Sequence, residues 1–308
     1  MRQAILVIAV LLAGSVLGGF FWLWTPDRSR QELEAKYLDS PRDYLTVAGI
    51  RLRVKEAGPT HGRVVILLHG FGSSLETWDV WAKGLSSEFR VVRFDLPGSG
   101  LTGPDPTGDY SDARCVQILI ALMNRLGITR ASLVGNSIGG RIAWMFAALQ
   151  PDRVDKLVLI SPDGFASPGF AYGKKADVPA VLTLMRYALP KAVLRMNLLP
   201  AYGNPAALTE ATVTRYYDLI LAPGVRGAMI ARMRETVLED PEPLLRRIKA
   251  PTLLVWGEKD GMIPFANSAD YLRSIPQSTL VRLPGLGHVP QEEAPSVSLA
   301  PVRHFLER

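Results

Sequence analysis

The sequence predicts an α/β fold in one large domain, preceded by a transmembrane helix. Short apolar runs of strand length alternate with helical segments from residue 44 onward. A serine flanked by glycines lies between one of these runs and a helix. The chain begins with a long uncharged stretch, and its 308 residues suffice for a single large core once that stretch is set aside.

The predicted strands begin with a hairpin. Residues Tyr44–Ala57 alternate like two antiparallel strands that turn at Ala48-Gly49. Six later runs have the composition of buried strands: Val64–Leu68, Arg90–Asp95, Ala131–Val134, Lys156–Ile160, Thr252–Trp256 and Ser278–Leu283. Because helical segments separate these runs, they predict strands joined by helices.

A long segment between Ile160 and Thr252 interrupts this alternation. It is rich in Ala, Leu, Met and Tyr, and prolines divide it into short pieces. We interpret it as a helical cap, inserted at about residues 165–245, that covers one edge of the sheet and shapes an apolar pocket. Several apolar side chains could line that pocket or pack the cap on the core: Met185, Tyr187, Leu194, Met196, Leu198, Tyr216, Tyr217, Met229 and Met233.

Ser137 is the candidate nucleophile. It follows the predicted strand Ala131–Val134 in the pattern Gly-Asn-Ser-Ile-Gly, and a predicted helix, Arg141–Leu149, comes directly afterwards. A strand, a tight glycine turn and a helix in this order lift a serine Oγ above the carboxyl end of a sheet. The alternative is a glycine turn with no catalytic role.

A serine nucleophile needs a histidine as base and a carboxylate to orient that histidine. His288 lies in a glycine-rich loop after the last predicted strand, which makes it the candidate base. Asp260 follows the strand-like run Thr252–Trp256 and is the candidate carboxylate, with Asp163 and Glu258 as rivals.

Acyl transfer also needs N–H donors for the oxyanion that develops on the substrate. The run Val64–Leu68 opens into His69-Gly70-Phe71-Gly72, a loop whose backbone N–H groups are free to face a ligand. The candidate donors are the N–H groups of Phe71 and Ile138. We interpret His69 as a loop anchor rather than a proton carrier.

Five motifs in this order resemble the α/β-hydrolase family of the serine esterase and lipase type. They are the His69 loop, the segment Asp95–Gly100, the turn at Ser137, the segment Gly257–Asp260 and the pair Gly287-His288. The resemblance extends from about Tyr44 to the C-terminus. It implies an eight-stranded, mostly parallel sheet with a triad of Ser137, Asp260 and His288, and a loop-ordering role for Asp95.

The residue at the turn narrows the chemistry that the resemblance implies. Family members with aspartate there act on halides or epoxides, whereas members with serine cleave acyl compounds or, in some cases, carbon–carbon bonds. We therefore expect a carboxylic ester hydrolase acting on small-molecule or lipid-like esters. A carbon–carbon hydrolase of ring-fission products and a non-catalytic binding protein remain as alternatives.

The N-terminal segment Ala4–Trp24 contains no charged residue. As a helix it would span about 30 Å at about 1.5 Å per residue, and aromatic side chains at its far end suit a membrane interface. We expect an uncleaved, single-pass membrane anchor over residues 1–25, a linker over 26–43 and the hydrolase domain over 44–308. A cleaved signal peptide is the alternative, and flanking charges leave the membrane face of the domain open.

Composition excludes several other classes. The formal net charge of +6 modestly favours binding to an anionic membrane surface. Nucleic-acid binding is not predicted, because the sequence has no cluster of basic residues interleaved with aromatic ones. The single cysteine, Cys115, cannot form an intrachain disulfide. We find no zinc-ligand motif and expect neither a metal nor an organic cofactor.

Overall fold

The computed structural model describes residues 23–166 and 172–308, and an eight-stranded β-sheet forms its centre. The strands are β1 (Tyr44–Val47), β2 (Ile50–Ala57), β3 (Arg63–Leu68), β4 (Phe89–Phe94), β5 (Ala131–Asn136), β6 (Val154–Ile160), β7 (Thr252–Gly257) and β8 (Ser278–Leu283). Their order across the sheet is β1-β2-β4-β3-β5-β6-β7-β8. Only the pairs β1–β2 and β2–β4 are antiparallel and the other five pairs are parallel, so the sheet is mostly parallel, as predicted.

Eleven α-helices lie in the described part of the chain. They are α1 (Arg30–Tyr37), α2 (Asp79–Leu85), α3 (Asp112–Arg125), α4 (Ile138–Leu149), α5 (Lys191–Leu198), α6 (Glu210–Ile220), α7 (Val225–Glu235), α8 (Glu242–Leu245), α9 (Ser268–Ser274), α10 (Pro290–Glu293) and α11 (Pro295–Glu307). Short 3₁₀ turns connect several of them: Pro41–Asp43, Leu75–Trp78, Pro151–Arg153, Ala180–Arg186, Leu199–Ala201, Pro205–Ala207 and Phe265–Asn267.

The central strands are buried on both faces of the sheet. All residues of β5 and β7 are buried, which is why their sequences are nearly continuous apolar runs. One apolar cluster, with Trp144 and Trp256, covers one face, and a second, with Trp78 and Trp81, covers the other. Helices therefore enclose the sheet and leave the carboxyl ends of the parallel strands at one edge.

The structure confirms the predicted strands with small shifts of their ends. The hairpin turns at Ala48-Gly49, where both residues have positive φ, and Val47 pairs with Ile50. The predicted run Ala131–Val134 continues to Asn136, so the strand reaches the residue before Ser137. These shifts of one or two residues are the usual uncertainty of an element's ends.

Helices α5, α6, α7 and α8 lie in the segment predicted to form the cap. Part of this segment has a small core of its own, in which Leu194, Tyr216 and Met229 are buried. Leu33 of α1 belongs to the same cluster and is only 1% exposed. The N-terminal helix thus packs on the cap segment, although it lies in the stretch predicted to be a linker.

Polar contacts fasten the same N-terminal stretch to the cap segment. Asp218 of α6 is buried and accepts hydrogen bonds from Lys36 Nζ at 2.6 Å and from Tyr37 Oη at 2.7 Å. Arg226 of α7 forms an ion pair with Asp27, with Nη2 and Oδ1 2.6 Å apart. Residues 27–37 are therefore packed and bonded against the cap segment and do not form a free spacer.

The prediction of a single-pass membrane protein requires correction. Across residues 23–166 and 172–308, no helix combines the length and apolarity needed to cross a membrane. Most of the predicted anchor, residues 1–22 of 1–25, lies outside the described residues. The predicted membrane localisation and membrane partner are therefore not retained.

Candidate active site

Ser137 occupies a strained turn between β5 and α4. Its φ of 56° and ψ of −122° lie in a backbone region that residues other than glycine rarely adopt. Its N–H donates to Ile160 O at 3.0 Å, and its carbonyl accepts from Asp163 N at 3.1 Å. A Cβ on Gly139 would lie 2.3 Å from a backbone oxygen of β3, and one on Gly135 would lie 2.3 Å from Gly139 O. The glycines therefore permit the close approach that the turn requires.

His288 and Asp260 meet at the same edge of the sheet. His288 Nδ1 and Asp260 Oδ2 are 2.8 Å apart, and both side chains are nearly inaccessible to solvent. The other carboxylate oxygen, Oδ1, accepts from the N–H groups of Met262 at 2.9 Å and Ile263 at 2.8 Å. With Nδ1 donating to this carboxylate, Nε2 of the neutral imidazole is left as a proton acceptor.

The rival carboxylates have other partners. Asp163 lies 3.5 Å from Arg141 Nη1, and Glu258 forms an ion pair with Arg282 at 2.6 Å. Neither makes a hydrogen bond to His288 in the described part of the chain. The geometry brings Asp260 to the histidine, which is the pairing expected from the sequence.

Asn136 holds the backbone of His288 in place by a hydrogen bond. Sequence analysis did not predict this role. Asn136 Nδ2 donates to His288 O at 2.9 Å and to Ile160 O at 3.1 Å, and its Oδ1 accepts from Gln291 Nε2 at 3.2 Å. The residue is 2% exposed, so these bonds lie in a dry environment. An asparagine directly before the candidate nucleophile was the only local signal for this role.

The histidine loop is also held by the cap segment. His288 N donates to Ala201 O at 2.8 Å. The carboxylate of Glu293 accepts from Gly287 N at 2.7 Å and from Gly203 N at 3.1 Å, and so joins the histidine loop to a loop after α5. The position of the candidate base therefore depends on both the sheet and the cap segment.

Ser137 shares one cavity with both candidate oxyanion donors. The cavity has a volume of about 390 Å³, and Phe71, Ser137 and Ile138 all line it. Ile138 is the first residue of α4, so its N–H has no acceptor within the helix. No carbonyl of the described chain accepts a hydrogen bond from Phe71 N. A Cβ on Gly70 would lie 3.3 Å from the Cβ of Ser137, which shows how closely this loop approaches the serine.

The remainder of the cavity wall is largely apolar, with a few polar groups. Its further lining comes from the segment after β6 and from α7: Asp163, Ala176, Asp177, Val178, Pro179, Leu182, Arg232, Met233 and Thr236. Of the cap side chains considered from the sequence, Met233 lines this cavity, whereas Leu194 and Tyr216 pack inside the cap segment. Tyr187 and Met196 are exposed, which corrects the expectation that they contribute to the pocket or to the core.

His69 and Asp95 order the loops around the site. His69 is fully buried, accepts from Leu96 N at Nε2 (2.9 Å) and donates from Nδ1 to Gly70 O (2.8 Å). Burial holds the pKa of this imidazole below its usual range, so it stays neutral. Asp95 is likewise buried and lies 3.3 Å from Arg53 Nη1. Both residues therefore have the loop-anchoring roles that the sequence suggested.

Metal ligands are not grouped in the described chain. Within residues 23–166 and 172–308, no three His, Cys, Asp or Glu side chains are arranged to hold a metal ion. Hydrolysis without a metal or cofactor remains the expectation from the sequence.

Comparison with known proteins shows the family. A family model described as the alpha/beta hydrolase fold matches residues 63–295. The chain therefore belongs to the α/β-hydrolase family and is a hydrolase of that fold. A similar solved structure is a meta-cleavage product hydrolase from Pseudomonas fluorescens, with a TM-score of 0.73 and 25% identity, covering 86% of this chain and 97% of its own.

Two curated relatives show how varied the similar proteins are. The chain is 30% identical over 254 residues to the dihydrolipoyllysine-residue acetyltransferase component of an acetoin cleaving system from Pseudomonas putida; the match covers 80% of this chain but only 64% of the relative. It is 29% identical over 253 residues to a 2-hydroxy-6-oxo-6-phenylhexa-2,4-dienoate hydrolase from Comamonas testosteroni, covering 79% of this chain and 86% of the relative. The hydrolase fold is thus established, while the expected esterase or lipase type is not.

Proposed function

We propose that the protein hydrolyses carboxylic esters with apolar acyl groups through a serine acyl-enzyme. The observation that carries this proposal is the His288–Asp260 pair, with Nδ1 and Oδ2 2.8 Å apart. The backbone of His288 is tied through Asn136 to the end of β5, where Ser137 lies in a strained turn. A base oriented by a carboxylate next to a serine is the arrangement that activates a hydroxyl for attack on a carbonyl.

The proposed reaction has two halves that use the same groups. His288 Nε2 takes the Ser137 proton while Oγ forms a bond to the ester carbonyl carbon, and the carbonyl electron pair moves to its oxygen. The N–H groups of Phe71 and Ile138 bind that oxyanion. The alcohol then leaves with the proton from His288, and a water activated by His288 releases the acid from Ser137. Asp260 stays ionised and orients the imidazole throughout.

The cavity supports a substrate with an apolar acyl part. Val178, Pro179, Leu182 and Met233 line it together with the aromatic ring of Phe71, which is 42% exposed. Its volume of about 390 Å³ lies within the ordinary range for small-molecule sites, about 300–1,000 Å³. An ester with a medium or long acyl chain, as in a lipid, would bury that chain against this wall.

Hydrolysis of a carbon–carbon bond in a ring-fission product is the second candidate. It is favoured by the relative from Comamonas testosteroni, whose name gives a dienoate substrate. The same serine, histidine and aspartate would serve that reaction. A dienoate carries a carboxylate, and the cavity that it would enter is lined by the acidic residues Asp163 and Asp177 and by the cation of Arg232. The apolar side chains of Val178, Pro179, Leu182 and Met233 in the same wall favour the uncharged ester.

The first test is labelling of the full chain with a fluorophosphonate. Wild-type protein should be labelled, Ser137→Ala should not, and Ser296→Ala, a change at an exposed serine on α11, should match wild type. Labelling of Ser137→Ala, or none of the wild type, would contradict the serine mechanism, and the second result would favour the binding-protein alternative.

A substrate panel then separates the two reactions. p-Nitrophenyl esters from short to long acyl chains are compared with a ring-fission dienoate, followed by its visible absorbance. We expect kcat/KM to rise with acyl length and to exceed that for the dienoate. A higher value for the dienoate would replace the ester proposal with the carbon–carbon one.

A further inference from the structure

Arg232, on α7, is a buried cation without a carboxylate partner. The residue is 6% exposed, and no Asp or Glu of residues 23–166 and 172–308 forms an ion pair with it. The other buried arginines of the described chain, Arg53, Arg141 and Arg226, each have a carboxylate oxygen at 2.6 Å. A buried charge is costly unless it is paired, so the exception at Arg232 calls for a functional explanation.

None of the groups that contact the Arg232 guanidinium directly is a carboxylate. Nη2 donates to Pro97 O at 3.2 Å and lies 3.4 Å from Cys115 Sγ, and the guanidinium carbon lies 5.8 Å from the centre of the Tyr110 ring. Nη1 is buried and has no hydrogen-bond partner in the described chain. Burial raises the pKa of the Cys115 thiol, so this neighbour is neutral. The contact with Pro97 uses only one of five N–H donors.

Arg232 borders the place where negative charge would form in the proposed reaction. It lines the cavity of about 390 Å³ together with Ser137, Phe71 and Ile138. A second, small cavity of about 10 Å³ is also bordered by Phe71, Ile138 and Arg232, with Gly70 beside them. Arg232 therefore lines the same two cavities as both residues whose N–H groups are the candidate oxyanion donors.

We propose that Arg232 supplies a fixed positive charge that stabilises the oxyanion held by the N–H groups of Phe71 and Ile138. This inference rests on the proposed serine mechanism. When Ser137 Oγ bonds to the carbonyl carbon, the electron pair that moves to the carbonyl oxygen lies near this charge, and Arg232 exchanges no proton. Because Arg232 is only 6% exposed and held by Pro97 O, its charge is screened less than that of a surface arginine and needs little rearrangement during the step.

A substrate carboxylate is a less suitable partner for this charge. Asp177 lines the same cavity, and its charge would repel an anionic substrate group on its way to Arg232. An uncharged ester meets no such repulsion and becomes negative only at the carbonyl oxygen, during the reaction. The charge of Arg232 would thus be used in the transition state rather than for binding.

Three variants of the full chain test the charge itself. Arg232→Met removes the charge at similar length, Arg232→Lys keeps it, and Arg234→Met changes an exposed arginine of the same helix as a control. With an uncharged p-nitrophenyl ester, we expect Arg232→Met to lower kcat at least tenfold and to change KM less than about twofold, on the order of a weakened oxyanion donor. Arg232→Lys should retain most of kcat, and Arg234→Met should match wild type.

An anionic transition-state mimic provides a readout that a packing defect would not reproduce. A trifluoromethyl ketone that forms an anionic adduct with Ser137 should bind Arg232→Met more weakly, by about the factor lost in kcat. If Arg232→Met does not fold, Arg232→Gln takes its place in each measurement.

Two results would overturn the inference, and a third concerns its premise. Equal losses in Arg232→Met and Arg232→Lys would show that packing, not charge, matters. A loss confined to esters of a dicarboxylic acid would assign Arg232 to a substrate carboxylate. Retention of activity in Ser137→Ala would instead refute the serine mechanism, so failure of the proposed function is recognised separately.

Discussion

Replacing Asn136 with alanine should destabilise the protein and disturb the candidate base together. The side chain donates to His288 O at 2.9 Å and to Ile160 O at 3.1 Å, and it accepts from Gln291 Nε2 at 3.2 Å. Alanine removes all three hydrogen bonds. Only 2% of the residue is exposed, so water would not readily replace them.

The size of the effect follows from what each partner retains. Ile160 O still accepts from Ser137 N at 3.0 Å, and Gln291 Nε2 still lies 3.4 Å from Thr77 Oγ1. These two partners each lose about 0.5–1.5 kcal/mol of net interaction. His288 O has no other donor in the described chain and becomes a buried unsatisfied carbonyl, which costs about 1–3 kcal/mol. The free energy of unfolding should therefore fall by about 4 kcal/mol.

Urea unfolding followed by tryptophan fluorescence measures this change. Asn124→Ala, at an exposed position of α3, is the matched control and should change the free energy of unfolding by less than about 0.5 kcal/mol. Fluorophosphonate labelling of Asn136→Ala should also slow under conditions in which the variant is folded. A value for Asn136→Ala within about 0.5 kcal/mol of wild type would refute the reasoning, since it would show that the three hydrogen bonds make no net contribution.

Three further perturbations test the site and its surroundings. Gly139→Ala should prevent correct folding because its Cβ would lie 2.3 Å from a backbone oxygen. The control is Gly227→Ala on α7, whose Cβ would meet only Arg186 Nε at 4.0 Å; it should be neutral or stabilise by up to about 1 kcal/mol in thermal unfolding. Asp260→Asn should slow fluorophosphonate labelling by about 10³-fold or more, and Asp163→Asn by less than about threefold; a reversed order would exchange their roles. Burial lowers the pKa of folded His69, so its contribution to stability is complete above about pH 6.5 and is lost as the pH falls below that value, by up to about 1.4 kcal/mol per pH unit. Urea unfolding at pH 7 and 5.5 measures this loss, and equal stabilities would contradict it.

The sheet could be predicted because its pattern is local. The strands β5 and β7 are buried on both faces, so each appears in the sequence as an uninterrupted apolar run. The hairpin turn at Ala48-Gly49 was likewise visible in the residues that form it. The apolar runs did not predict the order of the strands, in which β4 lies between β2 and β3. Strand pairing depends on contacts between distant segments.

The candidate site could be predicted only for residues that follow strands. Ser137, Asp260 and His288 each come directly after a strand or in the loop that follows it, and the carboxyl ends of parallel strands meet at one edge. Asn136 and Glu293 were missed because their partners lie far along the chain: Asn136 contacts His288 across 152 positions, and Glu293 contacts Gly203 across 90. No spacing rule connects residues so far apart.

The sequence pattern was also a poor guide to the cap and its neighbours. Residues 26–43 have the composition of a linker, yet Leu33 is 1% exposed and Lys36 bonds to buried Asp218 on α6. A charged helix can be identified locally, but whether another element covers it depends on a surface formed elsewhere in the chain.

Local residue order thus determined the type of each strand, the serine turn and the family to which the chain belongs. Those features depend on backbone periodicity and on glycine at tight turns, which neighbouring residues specify. The tertiary structure alone decided which carboxylate meets His288, what supports that histidine, and that Arg232 is buried without an ion-pair partner in the described chain and lines a cavity with Phe71 and Ile138. Hydrogen bonds and charges act over a few ångströms in space, so the folding of the chain, and not the spacing along it, decides which groups they join.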